Sequence, residues 1–350
     1  MTDQPLAPYD AAPSSPATAS SPATAGSPGT EHRLPLYDAP VVAHVVRSGF
    51  VESVHHGSVV ALAADGSTLL AIGDVTGPIF PRSSSKPIQA LAMLRAGLDL
   101  DGELLALAAA SHSGEPFHLE IVQRILAGAG LSERDLQNTP DLPYDETERN
   151  AWIAAGREPT SLAQNCSGKH AAMLATCLAA GWDIATYRDP QHPLQQLMEQ
   201  TLADLAGEPV AATGIDGCGA PVMAISLTGL ARAFARLAAA PEGTDEARVA
   251  GAMRAFPHCV GGTRRDVTAL MQGVPGLIAK DGAESVYAVG LADGRAIALK
   301  IADGGHRARP VVMAAALRRL GIEASVLDEL TRAPVMGHGH VVGSIDAVGV

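Results

Sequence analysis

Lysine is scarce in this 350-residue chain: Lys86, Lys169, Lys280 and Lys300 are all it has, against 21 arginines. Arginine cannot act as a base, whereas a desolvated lysine can lose its proton, so each of the four invites inspection. Cysteine is equally sparse. Four thiols cannot form the dense framework of a small secreted domain and read better as reduced thiols or metal ligands in the cytoplasm. Bases fall short of acids, 25 to 37, and the formal net charge of -12 repels phosphate backbones and anionic membrane surfaces, which argues against a nucleic-acid or membrane partner. Long apolar runs are missing too: the weakly charged stretch from Pro209 to Leu230 is broken by Gly214, Asp216, Gly217, Gly219 and Pro221, so no membrane-spanning segment is expected. No Gly-x-Gly-x-x-Gly follows a strand and no Gly-x-x-x-x-Gly-Lys-Ser/Thr occurs, which leaves nucleotide cofactors without support.

What is present is apolar material in quantity. At 47% hydrophobic residues the chain can fill one large core or two ordinary ones. Residues 1–30 stand apart, with 24 of them Ala, Pro, Ser, Thr or Gly, and predict a disordered tail over 1–35 that has neither the basic start nor the apolar stretch of a secretory signal. From residue 36 the pattern is that of one domain. Val41–Val54 reads as a strand, followed by a hairpin of 58–63 and 68–72 around Asp65-Gly66. Helical spacing then predicts helices near 87–98, 117–130, 167–181, 193–206, 225–239 and 244–255. Strand signals return at 276–278, 285–291 and 296–301, and a helix follows over about 309–320. Early strands, a helical middle and late strands predict an α+β fold in which the two ends of the chain share one antiparallel sheet.

Lys86 stands in Pro81-Arg82-Ser83-Ser84-Ser85-Lys86-Pro87, directly ahead of the apolar helical run Ile88, Leu91, Leu94. With Ser83 in the first helical turn, its hydroxyl and the Lys86 amine lie on one face, close enough to share a hydrogen bond, and a neutral amine could deprotonate the serine. Helix N-terminal amides favour the negative charge that then develops. Pro87 biases Lys86 toward extended backbone, so a helix starting one residue later is the alternative, and serines that only cap the helix are the alternative to a nucleophile. Ser111-His112-Ser113 and Lys280-Asp281-Gly282 follow in order. A fixed second ammonium depresses the pKa of its neighbour and attracts an anionic substrate. Lys169 stands in Asn165-Cys166-Ser167-Gly168-Lys169-His170, at the start of another apolar helix, and Asp216-Gly217-Cys218-Gly219-Ala220-Pro221 forms a glycine-rich loop further on. Two thiolates with His170 or Lys169 could hold Zn2+, or the cysteines could simply pack as small hydrophobes, which is the reading for Cys177 and Cys259.

The positions 83–86, 111–113 and 280–282 resemble the Ser-x-x-Lys, Ser-Asp-Asn and Lys-Thr-Gly elements of the penicillin-recognising serine hydrolases. Taken with the Cys166–His170 and Asp216–Pro221 motifs, the chain from about Val41 to Gly343 resembles the asparaginase II family, the rhizobial-type or class 3 L-asparaginases. That resemblance implies a β-lactamase-like fold, hydrolysis of L-asparagine to L-aspartate and ammonia, and a homodimer. It further implies Ser83 as nucleophile, Lys86 as its base, Ser111 with Lys280 as a second Ser-Lys pair, and Zn2+ on Cys166, Lys169 and Cys218, with His170 behind them. Ser113 and Lys300 are the alternative members of the second pair. Asparagine carries an α-carboxylate and an α-ammonium, for which Arg82 and Asp216 are the candidate partners. The Ser-x-x-Lys skeleton does not specify the acyl donor, so a glutaminase or a penicillin-recognising enzyme is the rival hydrolase. A non-catalytic zinc protein stapled by Cys166 and Cys218 is the rival of another class.

Overall fold

The computed structural model describes Leu36 and residues 38–350; the tail expected at 1–35 lies outside the described residues. Eleven strands occur among them: β1 (Val41–Arg47), β2 (Phe50–Leu62), β3 (Thr68–Ile72), β4 (Pro78–Ile79), β5 (Ala212–Ile215), β6 (Pro221–Ser226), β7 (Ile278–Gly282), β8 (Val286–Gly290), β9 (Ala296–Ile301), β10 (Arg332–Gly337) and β11 (His340–Ala347). The middle of the chain supplies α1 (Lys86–Arg95), α2 (Gly102–Ala108), α3 (Pro116–Gly128), α4 (Glu146–Ala154), α5 (Ser167–Ala180), α6 (Pro193–Ala206), α7 (Leu227–Ala238), α8 (Asp245–Ala255), α9 (Pro257–Val260) and α10 (Asp266–Gly273). Two more, α11 (Arg309–Arg319) and α12 (Ser325–Leu330), lie between β9 and β10.

The main sheet is antiparallel and runs β10-β11-β1-β2-β9-β8-β7, with β3 also paired to β2. Early and late strands interleave as the pattern predicts: Ala43 faces Ala347 and Val59 faces Leu299. The fold is α+β, with the helical middle set between the two halves of the sheet's sequence. One expected strand is corrected. Val41–Val54 is interrupted by Ser48 and Gly49, both at positive φ, so it forms β1 and the start of a longer β2 rather than a single element. Such a two-residue turn matches the twist of antiparallel strands. The strand expected at 276–278 begins at Ile278 and runs to Gly282, so it carries Lys280-Asp281-Gly282 just ahead of β8.

The core is built where chemistry will need rigidity. α1 is buried from Lys86 to Leu94, as a helix apolar on every side must be. β8 and β9 are buried along their whole length, with α7 and α11 packed against them. α7 sits so close to β8 that a Cβ on Gly290 would collide with the Phe234 carbonyl oxygen and reach Ala238 Cβ at 2.8 Å. A second, small sheet, β4-β6-β5, stands beside this core. In it β4 leads into the Arg82 turn while the β5–β6 hairpin turn carries Asp216–Ala220, and the pairings Ile79 with Ile225 and Ile215 with Pro221 bring both to one end.

Packing at Gly290 and open space at Gly251 lead to changes of opposite sign. Gly290→Ala should destabilise by about 1–3 kcal/mol through overpacking, whereas Gly251→Ala, exposed within α8 with nothing near its missing Cβ, should stabilise by about 0.5–1 kcal/mol. Urea denaturation of both variants against wild type checks the two signs.

Candidate active site

The turn ahead of α1 is a 3₁₀ segment, Arg82–Ser85, entered through a strained Arg82 at φ 53. Its three serines are not equivalent. Ser84 Oγ donates to the Pro81 carbonyl at 2.6 Å and Ser85 Oγ to the Arg82 carbonyl at 2.9 Å, so both are spent on the turn itself. The half-buried Ser83 hydroxyl has no protein partner among the described residues. Gly282 makes this turn possible from the other side, because a Cβ there would strike the Pro81 carbonyl and lie 3.2 Å from the Ser84 nitrogen. The β7 strand bearing Lys280 is thereby docked directly on the turn bearing Ser83.

The spacing predicts a hydrogen bond between Lys86 and Ser83, and the structure does not make it. Its Nζ donates to the Ala110 carbonyl at 2.6 Å, to Ser111 Oγ at 3.0 Å and to Cys166 Sγ at 3.1 Å. The physical reason is burial: at 1% exposure the amine must find acceptors inside the protein, and the 110–111 segment and the N-terminus of α5 supply all three. Ser113 Oγ instead donates to the Gly261 carbonyl at 2.9 Å, so Ser111 is the serine of that segment that meets Lys86. Lys280 does not hydrogen-bond Ser111 either. Its Nζ donates to the carbonyl and to Oδ1 of Asp281, each at 2.8 Å, while Lys300 donates to the carbonyls of Glu284 and Ile301. Burial and the nearby Lys86 side chain push Lys280 down to about 8 against the opposing pull of Asp281.

The cysteines join this site rather than forming one of their own. Cys166, at the N-terminus of α5, accepts from Lys86 and lies 3.2 Å from Asn165 Oδ1, and Lys169 Nζ lies 3.3 Å from Cys218 Sγ. The Cys218 hydrogen bond, with Lys86 and Lys169 nearby, holds the Cys166 thiol well below its ordinary value despite burial, and Cys218 as the donor is raised. Burial would lower Lys169, but the cysteine sulfurs and Asp216 outweigh it and raise it. Two sulfurs and an amine converging in this way suit Zn2+ by donor chemistry, so the residues present fit the group. They count as only two of the usual Cys, His, Asp or Glu ligand types, and among the described residues no set of three such ligands converges anywhere. His170 turns away from the sulfurs to bond Tyr187, Nδ1 to the phenol oxygen at 2.6 Å.

At the mouth, Arg82 binds Asp216 through Nε at 2.9 Å and through its terminal nitrogen at 2.7 Å. Burial raises the Asp216 carboxyl, but Lys169 and Arg82 together hold it below its ordinary value. Two contributors escaped the sequence reading. The Ala110 carbonyl carries no side-chain signal at all, and Asp281 stood in view in the Lys-Asp-Gly triplet as the neighbour of the lysine it binds.

A serine left free on a strained turn, an interior lysine bound to a second serine, and a helix N-terminus beside them make an arrangement suited to acyl transfer. The chain belongs to the L-asparaginase II family, which matches residues 43–347. No curated protein matches the chain. Among solved structures it is similar to Mglu in its native form, at 14% identity and a TM-score of 0.42 over 76% of this chain and 65% of that one. It is also similar to EstCE1, a hydrolase with promiscuous acyltransferase activity, at 14% identity and TM-score 0.36 over 70% of this chain and 88% of that one. A third is a β-lactamase, Mb2281c, from Mycobacterium bovis, at 12% identity and TM-score 0.39 over 82% and 97%. The chain spans just under two thirds of Mglu, and at these TM-scores none of the three bears on substrate or mechanism.

The Arg82–Asp216 pair has a defined pH window. A carboxyl whose folded pKa lies below its unfolded value stabilises the fold fully above about pH 4 and loses that contribution as pH falls through the folded value. Wild type should therefore exceed Asp216→Asn in urea midpoint at pH 7, and the gap should narrow as pH falls below about 4; a gap independent of pH would remove the ion pair from the stability of this hairpin.

Proposed function

We propose that the protein is an L-asparaginase acting through an acyl-enzyme on Ser83. The observation that carries the reading is the unpartnered Ser83 hydroxyl on the turn that leads into Lys86, with Lys86 bonded to Ser111 and Cys166 and Lys169 beside Cys218, in a chain of the L-asparaginase II family. Ser83 Oγ attacks the side-chain amide carbon of asparagine as Lys86 accepts its proton. Backbone amides of the Arg82–Ser85 turn and the start of α1 hold the oxyanion. Collapse breaks the C–N bond, the departing nitrogen takes up a proton from the lysine set, and ammonia leaves. Water then attacks the ester, delivering a proton to the amine and freeing L-aspartate and Ser83. In this reading Ser111, bonded to Lys86, and Lys280, bonded to Asp281, relay these protons, and a lysine with a pKa near 8 changes its charge in the range where such a relay works.

Arg82 and Asp216 are suited to the two charges on the α-carbon of the substrate, an arginine for the carboxylate and an acid for the ammonium. Cys166, Lys169 and Cys218 would hold Zn2+, which when bound supplies a Lewis-acidic positive centre that positions the substrate beside the serine. The same reading includes a cytoplasmic location, in keeping with four free and buried cysteines, and a homodimer, which sedimentation velocity would test. Among the described residues no helix is long and apolar enough to cross a membrane.

The decisive measurement is coupled ammonia release from asparagine by wild type and Ser83→Ala. Activity should fall at least about 1,000-fold in the variant with an unchanged melting temperature; retained turnover would remove Ser83 from the mechanism. A panel of asparagine, glutamine and a β-lactam fixes specificity: equal rates on the two amides, or β-lactam opening alone, would replace asparaginase with one of its rivals.

Metal content provides a separate outcome. Purified protein should carry about one zinc per chain, lost in Cys218→Ser and retained in Cys259→Ser, as read by inductively coupled plasma mass spectrometry. Unfolding on chelation, with Ser83→Ala fully active, would favour a zinc-stapled protein without this catalysis.

A further inference from the structure

Lys280 lies wholly inside the protein, and an ammonium there needs an anion. The anion is Asp281, the next residue on β7, buried at 4% exposure. This carboxylate is heavily subscribed. Oδ1 accepts from Lys280 at 2.8 Å, while Oδ2 accepts from Arg265 at 2.5 Å and from Arg309 at 3.1 Å. Arg309 is shared in turn with Asp266, at 3.1 and 3.2 Å, and its guanidinium stands over the Tyr287 ring at 5.1 Å. Arg265 stands over the Tyr144 ring at 4.7 Å and reaches the Ser111 carbonyl at 3.4 Å. Three cations therefore draw on one buried carboxylate, and the least exposed of them is the lysine.

We infer that Asp281 is a positioning residue that fixes the Lys280 amine and governs its proton, with Arg309 acting on that amine in the opposite sense through the same carboxylate. The groups that face this pair are few. They are Lys86 from α1, Arg265 and Asp266 at the start of α10, Arg309 from α11, Tyr287 from β8, and His306 in the turn before α11. Of these only Asp281 touches the Lys280 amine with a negative charge, so removing it leaves burial and Lys86 unopposed. Removing Arg309 frees part of the carboxylate for Lys280. The two changes push the lysine in opposite directions, which general damage to the fold would not do. The bearing on catalysis rests on the reading of Lys280 as a member of the second Ser-Lys pair; the electrostatic arrangement does not.

The chain's four lysines make a direct test practical. Full-length protein labelled with [ε-13C]lysine gives four side-chain resonances, and Lys280→Arg assigns the one in question. Its titration midpoint should lie near 8, fall by about one pH unit or more in Asp281→Asn, and rise in Arg309→Gln by at least a few tenths of a unit, roughly what a change in one nearby charge produces. The other three resonances report that each variant is folded. If Asp281→Asn does not fold, Arg309→Gln alone decides by its sign. Midpoints that stay put, move together, or sit at the ordinary lysine value of about 10.4 overturn the inference. The pH profile of kcat/KM for asparagine is measured alongside. Resonances that shift as expected while the kinetic limb stays fixed would uphold the inference and overturn the catalytic role given to Lys280.

Discussion

Everything at this site is organised by one amine that has been taken out of water. Lys86 enters the core on the first residue of α1 and meets three acceptors from two distant stretches of chain, a carbonyl, a hydroxyl and a sulfur. Removing any of these leaves a buried donor without a partner, at a cost of order 1–3 kcal/mol. The α2–α3 connection, α1 and α5 are thus held in fixed relation by a polar contact inside an otherwise apolar core. A chain that lost this contact would keep its helices and lose the geometry that brings Ser111 and Cys166 to the Lys86 amine.

That contact also merges two features that look separate along the chain. The Ser-Lys motif and the cysteine motifs are eighty residues apart from Lys86 to Cys166, yet the sulfur of one is an acceptor for the amine of the other. From there the path runs through Cys218 to Lys169, whose charge acts on Asp216, and back across the mouth to Arg82, the neighbour of Ser83. Charged and polar groups linked in series in this way are coupled, so a change at the sulfurs is felt at the lysines and a change at Arg82 is felt through Asp216.

Element types were legible in the sequence wherever periodicity ran long enough. The helices at Pro193–Ala206, Ser167–Ala180 and Asp245–Ala255 lie within a residue or so of their expected bounds, and the sharing of one sheet by both ends of the chain followed from the order of elements alone. Short elements were not. Gly102–Ala108 and Asp266–Gly273 are barely two turns, and β10 and β11 have half-exposed faces with no clean alternation. At the site, residue types were readable and pairings were not. Spacing put Ser83 beside Lys86, but a side chain with four methylenes reaches wherever buried acceptors exist, and those come from tertiary structure. Cys166, Lys169 and Cys218 did come together as their motifs implied, because a helix N-terminus and a tight hairpin turn are both local constructions that the fold has only to bring face to face.

The burial of all four lysines, none more than 7% exposed, leaves the outside of the fold without a single side-chain amine. Its side-chain cations at neutral pH are guanidinium groups, which stay protonated and do not acylate under mild conditions. Amine-selective coupling and crosslinking reagents therefore find no lysine on this surface, and any such reagent that does modify a lysine has entered the interior. Lysine modification in this molecule thus reports opening of the core rather than decoration of its exterior.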